Sequence, residues 1–172
     1  MYQKIIAFMI MLISPTSYSL DIGDAAPIFS LPNQDNIYKS LDQHRGKWVI
    51  LYFYPMDDTP GCTTEACSFR DATDRIIANK AVVYGISVDN VESHKRFSDN
   101  YQLSFSILSD SDGKVSESYD SLAKFINWKV AMRNTYIINP KGVIVKKYIG
   151  VDPNTHVKQV LKDLMILQTQ SN

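Results

Sequence analysis

"KWVILYFYPMDDTPGCTTEACSFRD", Lys47 to Asp71, decides how this chain is read. Its opening run, Lys47 to Tyr54, is continuously β-branched and aromatic, the pattern of a strand buried on both faces. Pro55 stops it. From Cys62 to Lys80 the pattern turns helical, with Ala66, Phe69, Ile76 and Ile77 at helical spacing and Thr59 or Thr63 placed to cap the start. The stretch also holds both cysteines of the chain, Cys62 and Cys67.

Working outward, "GDAAPIFSLPNQDNIYKSLDQHRG" (Gly23 to Gly46) is a turn-rich lead-in with room for a short hairpin. Downstream, Ala81–Val88 reads as a second buried strand, Val91–Tyr101 as a polar amphipathic helix and Phe105–Asp110 as a short strand. Gly113–Asp120 is a helix candidate. Asn134–Gly150 is a hairpin around a Pro-Lys-Gly turn. Asp152–Leu167 is a terminal helix with Pro153 near its first turn and Val157, Val160, Leu161 and Leu164 inward. Buried strands alternating with helices predict an α/β layered domain, and the closing hairpin makes its central sheet mixed. This is the outline of a thioredoxin-like fold.

The chain has 172 residues, enough for one domain, with 18 basic and 18 acidic side chains and no basic face. That balance excludes nucleic acid as an expected partner. Residues 1–19 stand apart: Lys4, an apolar run from Ile5 to Ile13, then Pro15 and the small residues Ser17 and Ser19. This is the pattern of a cleaved secretory signal peptide, too short to span a bilayer and without a cysteine for a lipid anchor. The expected mature domain is therefore residues 20–172, exported and in a Gram-negative cell periplasmic, where thiols tend to oxidise.

Cys62 sits at the predicted strand-to-helix turn. Unpaired N–H groups and the positive end of the helix dipole stabilise a thiolate over a thiol there and make the sulfur a nucleophile. Thr59 can bring a hydroxyl beside it, and Pro60-Gly61 permit close backbone approach. Cys67 lies in the same helix. Five residues along an α-helix give about 7.5 Å of rise and about 140° of turn, so the two Cα atoms stand roughly 8–9 Å apart. A disulfide needs less than about 7 Å, so the bond requires the helix to unwind. A structural staple would close a tiny loop and stabilise little. The pair fits thiol oxidation to a sulfenic acid followed by disulfide formation. Two thiols with His44, His94 and His156 on separate predicted elements make a poor metal set. Asp57 and Asp58 read as solvated turn residues, His94 as a wet helix face, and Trp48 and Trp128 as packing.

The segment Tyr52–Asp71 resembles the active-site segment of peroxiredoxins, within them the bacterioferritin comigratory protein (PrxQ) branch. The pattern Pro-x-x-x-Thr-x-x-Cys is met by Pro55, Thr59 and Cys62, and the similarity runs on through "GISVDNVESHKRF" and "MRNTYIINPKGVIV" over about residues 21–165. The resemblance adds an N-terminal extension to the thioredoxin-like fold and implies a thiol peroxidase acting on hydrogen peroxide or alkyl hydroperoxides, with no cofactor and no metal. It implies Cys62 as peroxidatic nucleophile and Cys67 as resolving thiol, joined in an intramolecular disulfide. It also implies Thr59 as peroxide and sulfur ligand, Arg133 as the charge that stabilises thiolate and leaving oxygen, Pro55 as shield of the pocket, and Glu65 as a group that orients Arg133. It further implies recycling by a thioredoxin-like protein and a monomer or weak dimer. Met56 departs from the pattern, standing where many relatives carry Lys. A thiol–disulfide oxidoreductase acting on exported proteins is the alternative, though such enzymes use Cys-x-x-Cys. A non-enzymatic secreted binding domain is the remaining one.

Overall fold

The computed structural model describes residues 19–170. The leader expected over residues 1–19 lies outside them apart from Ser19. Among the described residues no helix is long and apolar enough to cross a membrane.

The run that opened the sequence reading is β3 (Trp48–Phe53), buried at every residue. It is the middle of a five-stranded sheet with β4 (Ala81–Ser87), β5 (Ser106–Ser109), β8 (Asn134–Ile138) and β9 (Ile144–Ile149), in the order β5-β4-β3-β8-β9. β3, β4 and β5 run parallel, whereas β8 and β9 are antiparallel to their neighbours. The sheet is mixed, as expected. Alternation along β3 builds two apolar layers. Trp48, Ile50, Tyr52 and Tyr54 pack with Phe69, Ile76, Phe97, Val160 and Leu164. Val49, Leu51 and Phe53 pack with Phe29, Leu41, Tyr119 and Tyr136 on the other face.

The helices are α1 (Pro60–Asp71), α2 (Thr73–Ala78), α3 (Val91–Tyr101), α4 (Lys114–Ser118) and α5 (His156–Gln170). The N-terminal extension forms the hairpin β1 (Ser30–Pro32) with β2 (Tyr38–Ser40) and a 3-10 turn at Leu41–His44. It covers the β5 edge: Asn33 bridges Leu108, and Gln34 bonds both Phe105 O and Ile107 N at 3.1 Å.

The elements differ from the sequence reading in several places. The single helix expected over Cys62–Lys80 is two. At Ala72 the N–H is shared between the Ser68 and Phe69 carbonyls, and the Thr73 hydroxyl takes Phe69 O at 3.1 Å, tightening the turn. That break keeps Ile76 in the core and turns Ile77 outward, against its expected inward place. The last helix starts at His156, so Pro153 precedes it by a turn, and it runs on to Gln170. Phe105 stands just outside its strand. A short hairpin, β6 (Leu122–Lys124) with β7 (Lys129–Ala131), went unforeseen because strands of three residues leave no periodicity to read. The Phe125 and Trp128 rings stack at its exposed tip.

Tyr52 pairs in register with Gly85 on β4, and its ring lies across the space a side chain at 85 would fill. A Cβ there would stand 2.7 Å from the Tyr52 ring and hydroxyl. Gly85→Ala is therefore expected to destabilise the fold by about 1–3 kcal/mol through overpacking. Urea denaturation checks this; an unmoved midpoint would show that the ring has room to shift.

Candidate active site

α1 begins at Pro60, two residues ahead of the Cys62 start read from the sequence. Thr59 is the N-cap and Pro60 the first helical residue, with its ready-made φ and no N–H to leave unpaired. The first turn contains no acidic residue, so nothing there neutralises the positive helix end. Cys62 is the third helical residue. Its N–H and that of Gly61 have no intrahelical partner by the geometry of an α-helix start.

The Cys62 side chain is buried, and its Sγ accepts a hydrogen bond from Arg133 Nη2 at 3.2 Å. Arg133 Nη1 donates to Glu65 Oε2 at 2.9 Å. Cys62 and Glu65 are three residues apart on α1 and so share one helix face. Arg133 arrives from just ahead of β8, its carbonyl tied to Val151 N at 3.0 Å. Gly61 gives the guanidinium room: a Cβ there would sit 3.0 Å from Arg133 Nη2. Glu65 has no exposed surface, and its second oxygen, Oε1, is buried without a hydrogen-bond partner. Burial pushes its carboxyl from 4.5 up to about 7, against the opposing pull of Arg133. A cation thus bridges a buried sulfur and a buried acid at a positive helix end. That arrangement stabilises a thiolate and can receive negative charge released at the sulfur.

The other sequence-predicted residues fall nearby with different partners. Pro55 is half-buried and follows the end of β3; Met56 is exposed. The Thr59 hydroxyl donates to the Met56 carbonyl at 3.0 Å, so its proton is not directed at the sulfur. It makes no side-chain cap to α1. Cys67 is half-buried further along the same unbroken helix, and both thiols are free.

Two expectations are overturned. Asp57 is buried rather than solvated, its Oδ1 accepting from Tyr54 Oη at 2.8 Å. His94 is wholly buried rather than on a wet face, and its Nδ1 meets Asp57 Oδ2 at 2.8 Å. The signal was present: His94, Phe97 and Ser98 form one stripe of α3 at helical spacing, and all three are buried. Asp89, between β4 and α3, joins them and was not foreseen; its Oδ2 accepts from Asp57 N at 3.0 Å and Ser87 Oγ at 2.7 Å. Burial, then the neighbouring Asp57, holds the Tyr54 phenol well above its ordinary value, so it remains a donor. Asp57, Asp89 and His94 bring ligand-type atoms within 4.8 Å of one another. Those atoms are already engaged in the hydrogen bonds just given, so the cluster reads as a post supporting the loop rather than as a metal cage.

A sequence model of the AhpC/TSA family matches residues 22–147. A bcp peroxiredoxin of Coxiella burnetii is 44% identical over 147 residues, covering 83% of this chain and 97% of that protein. The structure of a Cys-to-Ser mutant of Xylella fastidiosa PrxQ superposes with a TM-score of 0.83 at 28% identity, covering 88% of this chain and 99% of the other. A Xanthomonas campestris bacterioferritin comigratory protein, studied for its alkyl peroxide reduction activity, superposes with a TM-score of 0.76 at 30% identity, covering 80% and 90%.

Glu65 gives the site a pH signature. Its folded value of about 7 lies above the unfolded 4.5, so between them the folded state binds the proton more tightly. Its contribution to stability is then full below 4.5 and is lost as pH rises to about 7. Glu65→Gln removes it. Wild-type stability minus variant stability, from urea denaturation across that window, is expected to fall as pH rises. A flat or rising difference would refute the assignment.

Proposed function

The chain belongs to the AhpC/TSA family and is a peroxiredoxin of the Bcp/PrxQ kind, a thiol peroxidase, and we propose that it reduces hydrogen peroxide and organic hydroperoxides through Cys62. The observation that carries this reading is the Arg133 guanidinium, hydrogen-bonded at once to the buried Cys62 sulfur and to Glu65.

The Cys62 thiolate attacks one peroxide oxygen. An S–O bond forms, the O–O bond breaks, and the leaving oxygen departs with the bonding pair and takes up a proton as water or alcohol. Sulfur has given two electrons and is a sulfenic acid. Arg133 holds the thiolate and receives the charge developing on the leaving oxygen. Glu65 orients Arg133, Thr59 contacts the peroxide, and Pro55 shields the pocket. Cys67 thiolate then attacks the Cys62 sulfur; the S–S bond forms, the S–O bond breaks, and hydroxide leaves as water after protonation. Two electrons from a thioredoxin-like dithiol protein reopen the disulfide. The apolar run from Ile5 to Ile13 supports export to the periplasm, and the family resemblance supports a monomer or weak dimer.

In mature protein (residues 20–172), one equivalent of hydrogen peroxide is expected to consume both thiols within seconds. Cys62→Ser abolishes that loss, and Cys67→Ser stops at the sulfenic acid or a dimer. Slow loss, alike in both variants, would refute a peroxidatic Cys62. Arg133→Met should slow the reaction about a hundredfold or more without unfolding the protein; an unchanged rate removes Arg133 from the chemistry. Because α1 runs unbroken through both cysteines, amide exchange over residues 62–70 should quicken in the disulfide form. Equal protection in both forms would sink the unwinding step.

A further inference from the structure

The Met56–Asp57 peptide is held at both of its polar ends. Its N–H, that of Asp57, donates to Asp89 Oδ2 at 3.0 Å. Its carbonyl, that of Met56, accepts the Thr59 hydroxyl at 3.0 Å. Asp89 is itself fixed: Ser87 Oγ donates to the same Oδ2 at 2.7 Å, Asp89 N donates to Ser87 Oγ at 3.1 Å, and Ser109 Oγ donates to the Asp89 carbonyl at 2.7 Å. On the far side of the peptide the Asp57 side chain is clamped by Tyr54 Oη and His94 Nδ1, both at 2.8 Å. Asp58 follows with φ of 56°, a left-handed turn position. The turn has Asp57 and Asp58 at its centre, and the Met56–Asp57 peptide that leads into it has both its N–H and its C=O engaged.

We propose that Asp89 is a positioning residue for peroxide reduction: it locks the Met56–Asp57 peptide so that the carbonyl takes the Thr59 proton and leaves the Thr59 oxygen as an acceptor. A hydroxyl has one proton to give and two lone pairs to receive with. With its proton committed to Met56, Thr59 can meet a peroxide only as acceptor of the peroxide O–H. Arg133 can act only as a donor. The peroxide is then bracketed by one acceptor and one donor of fixed polarity. The pull of Asp89 on the N–H also strengthens the carbonyl as acceptor, because hydrogen bonds in a chain polarise one another. This proposal rests on the contact of Thr59 with the peroxide given above.

The test compares two reactions of the Cys62 thiol, oxidation by hydrogen peroxide and alkylation by iodoacetamide. Only the first uses Thr59. Asp89→Ala is expected to slow oxidation about tenfold while alkylation stays within about twofold, a coupling of the size found between residues in one hydrogen-bond network. Asp89→Asn, whose amide oxygen can still accept from Asp57 N–H, should recover most of the loss. Ser87→Ala, which frees Asp89 to turn, should show the same selectivity more weakly and serves if Asp89→Ala does not fold. In a Thr59→Val background Asp89→Ala should cost nothing further. Equal slowing of both reactions, or a cost that persists without the Thr59 hydroxyl, overturns the proposal. A Thr59→Val enzyme as fast as wild type overturns the Thr59 contact itself, and the role of Asp89 with it.

Discussion

A buried carboxylate needs a partner to receive its charge, and in this protein the pairing of Glu65 with Arg133 organises the site. Glu65 is fully buried on α1, and the side chain that meets it comes from 68 residues further along. The sheet delivers it. β3 and β8 are antiparallel neighbours, so the C-terminal end of β3 lies beside the N-terminal end of β8. α1 departs from beyond the first and Arg133 stands just before the second. The central pairing thereby brings Cys62, Glu65 and Arg133 together with no element dedicated to the purpose. The match is incomplete: Oε1 has no partner, and burial outweighs the guanidinium in setting the carboxyl's proton affinity. Removing the cation would leave Glu65 buried without its partner, a cost that measures the stranded acid rather than any net stabilisation by the pair.

The helix that carries the thiols is unevenly secured. Its later turns are anchored by Ala66 and Phe69 in the core. Its start lacks the side-chain cap that a Thr in this place usually supplies, worth about 1 kcal/mol. The break at Ala72 separates α1 from α2. An uncapped first turn carrying Cys62, in a helix separated from the next, suits a reaction that needs local unwinding.

Much of this was legible in the sequence. β3 announced itself by unbroken apolarity. α3 has the bounds its polar pattern gives. The Pro-x-x-x-Thr-x-x-Cys spacing points to Cys62. What was hidden depended on tertiary burial of polar groups. Asp57 and His94 have the composition of solvated residues, and their burial is made tolerable by their mutual contact and by the Tyr54 hydroxyl on Asp57. Asp89 could not be foreseen, since its role runs through the backbone of Asp57, and a backbone N–H has no residue type to recognise. Arg133 was singled out by resemblance; the run "KVAMRN" carries no local signal of it. Its partner Glu65 was likewise singled out by resemblance, and the structure adds that it shares a helix face with Cys62 and is fully buried.

Tyr52 and Gly85 share one volume. The ring fills what a side chain at 85 would occupy, and neither position borders open space into which the excess could go. The two sites therefore have to drift together: a lineage that enlarges residue 85 must first shrink residue 52, or pass through a poorly folding ancestor. Descendants of this chain are expected to record that order, as paired changes at positions far apart in sequence and adjacent across two parallel strands.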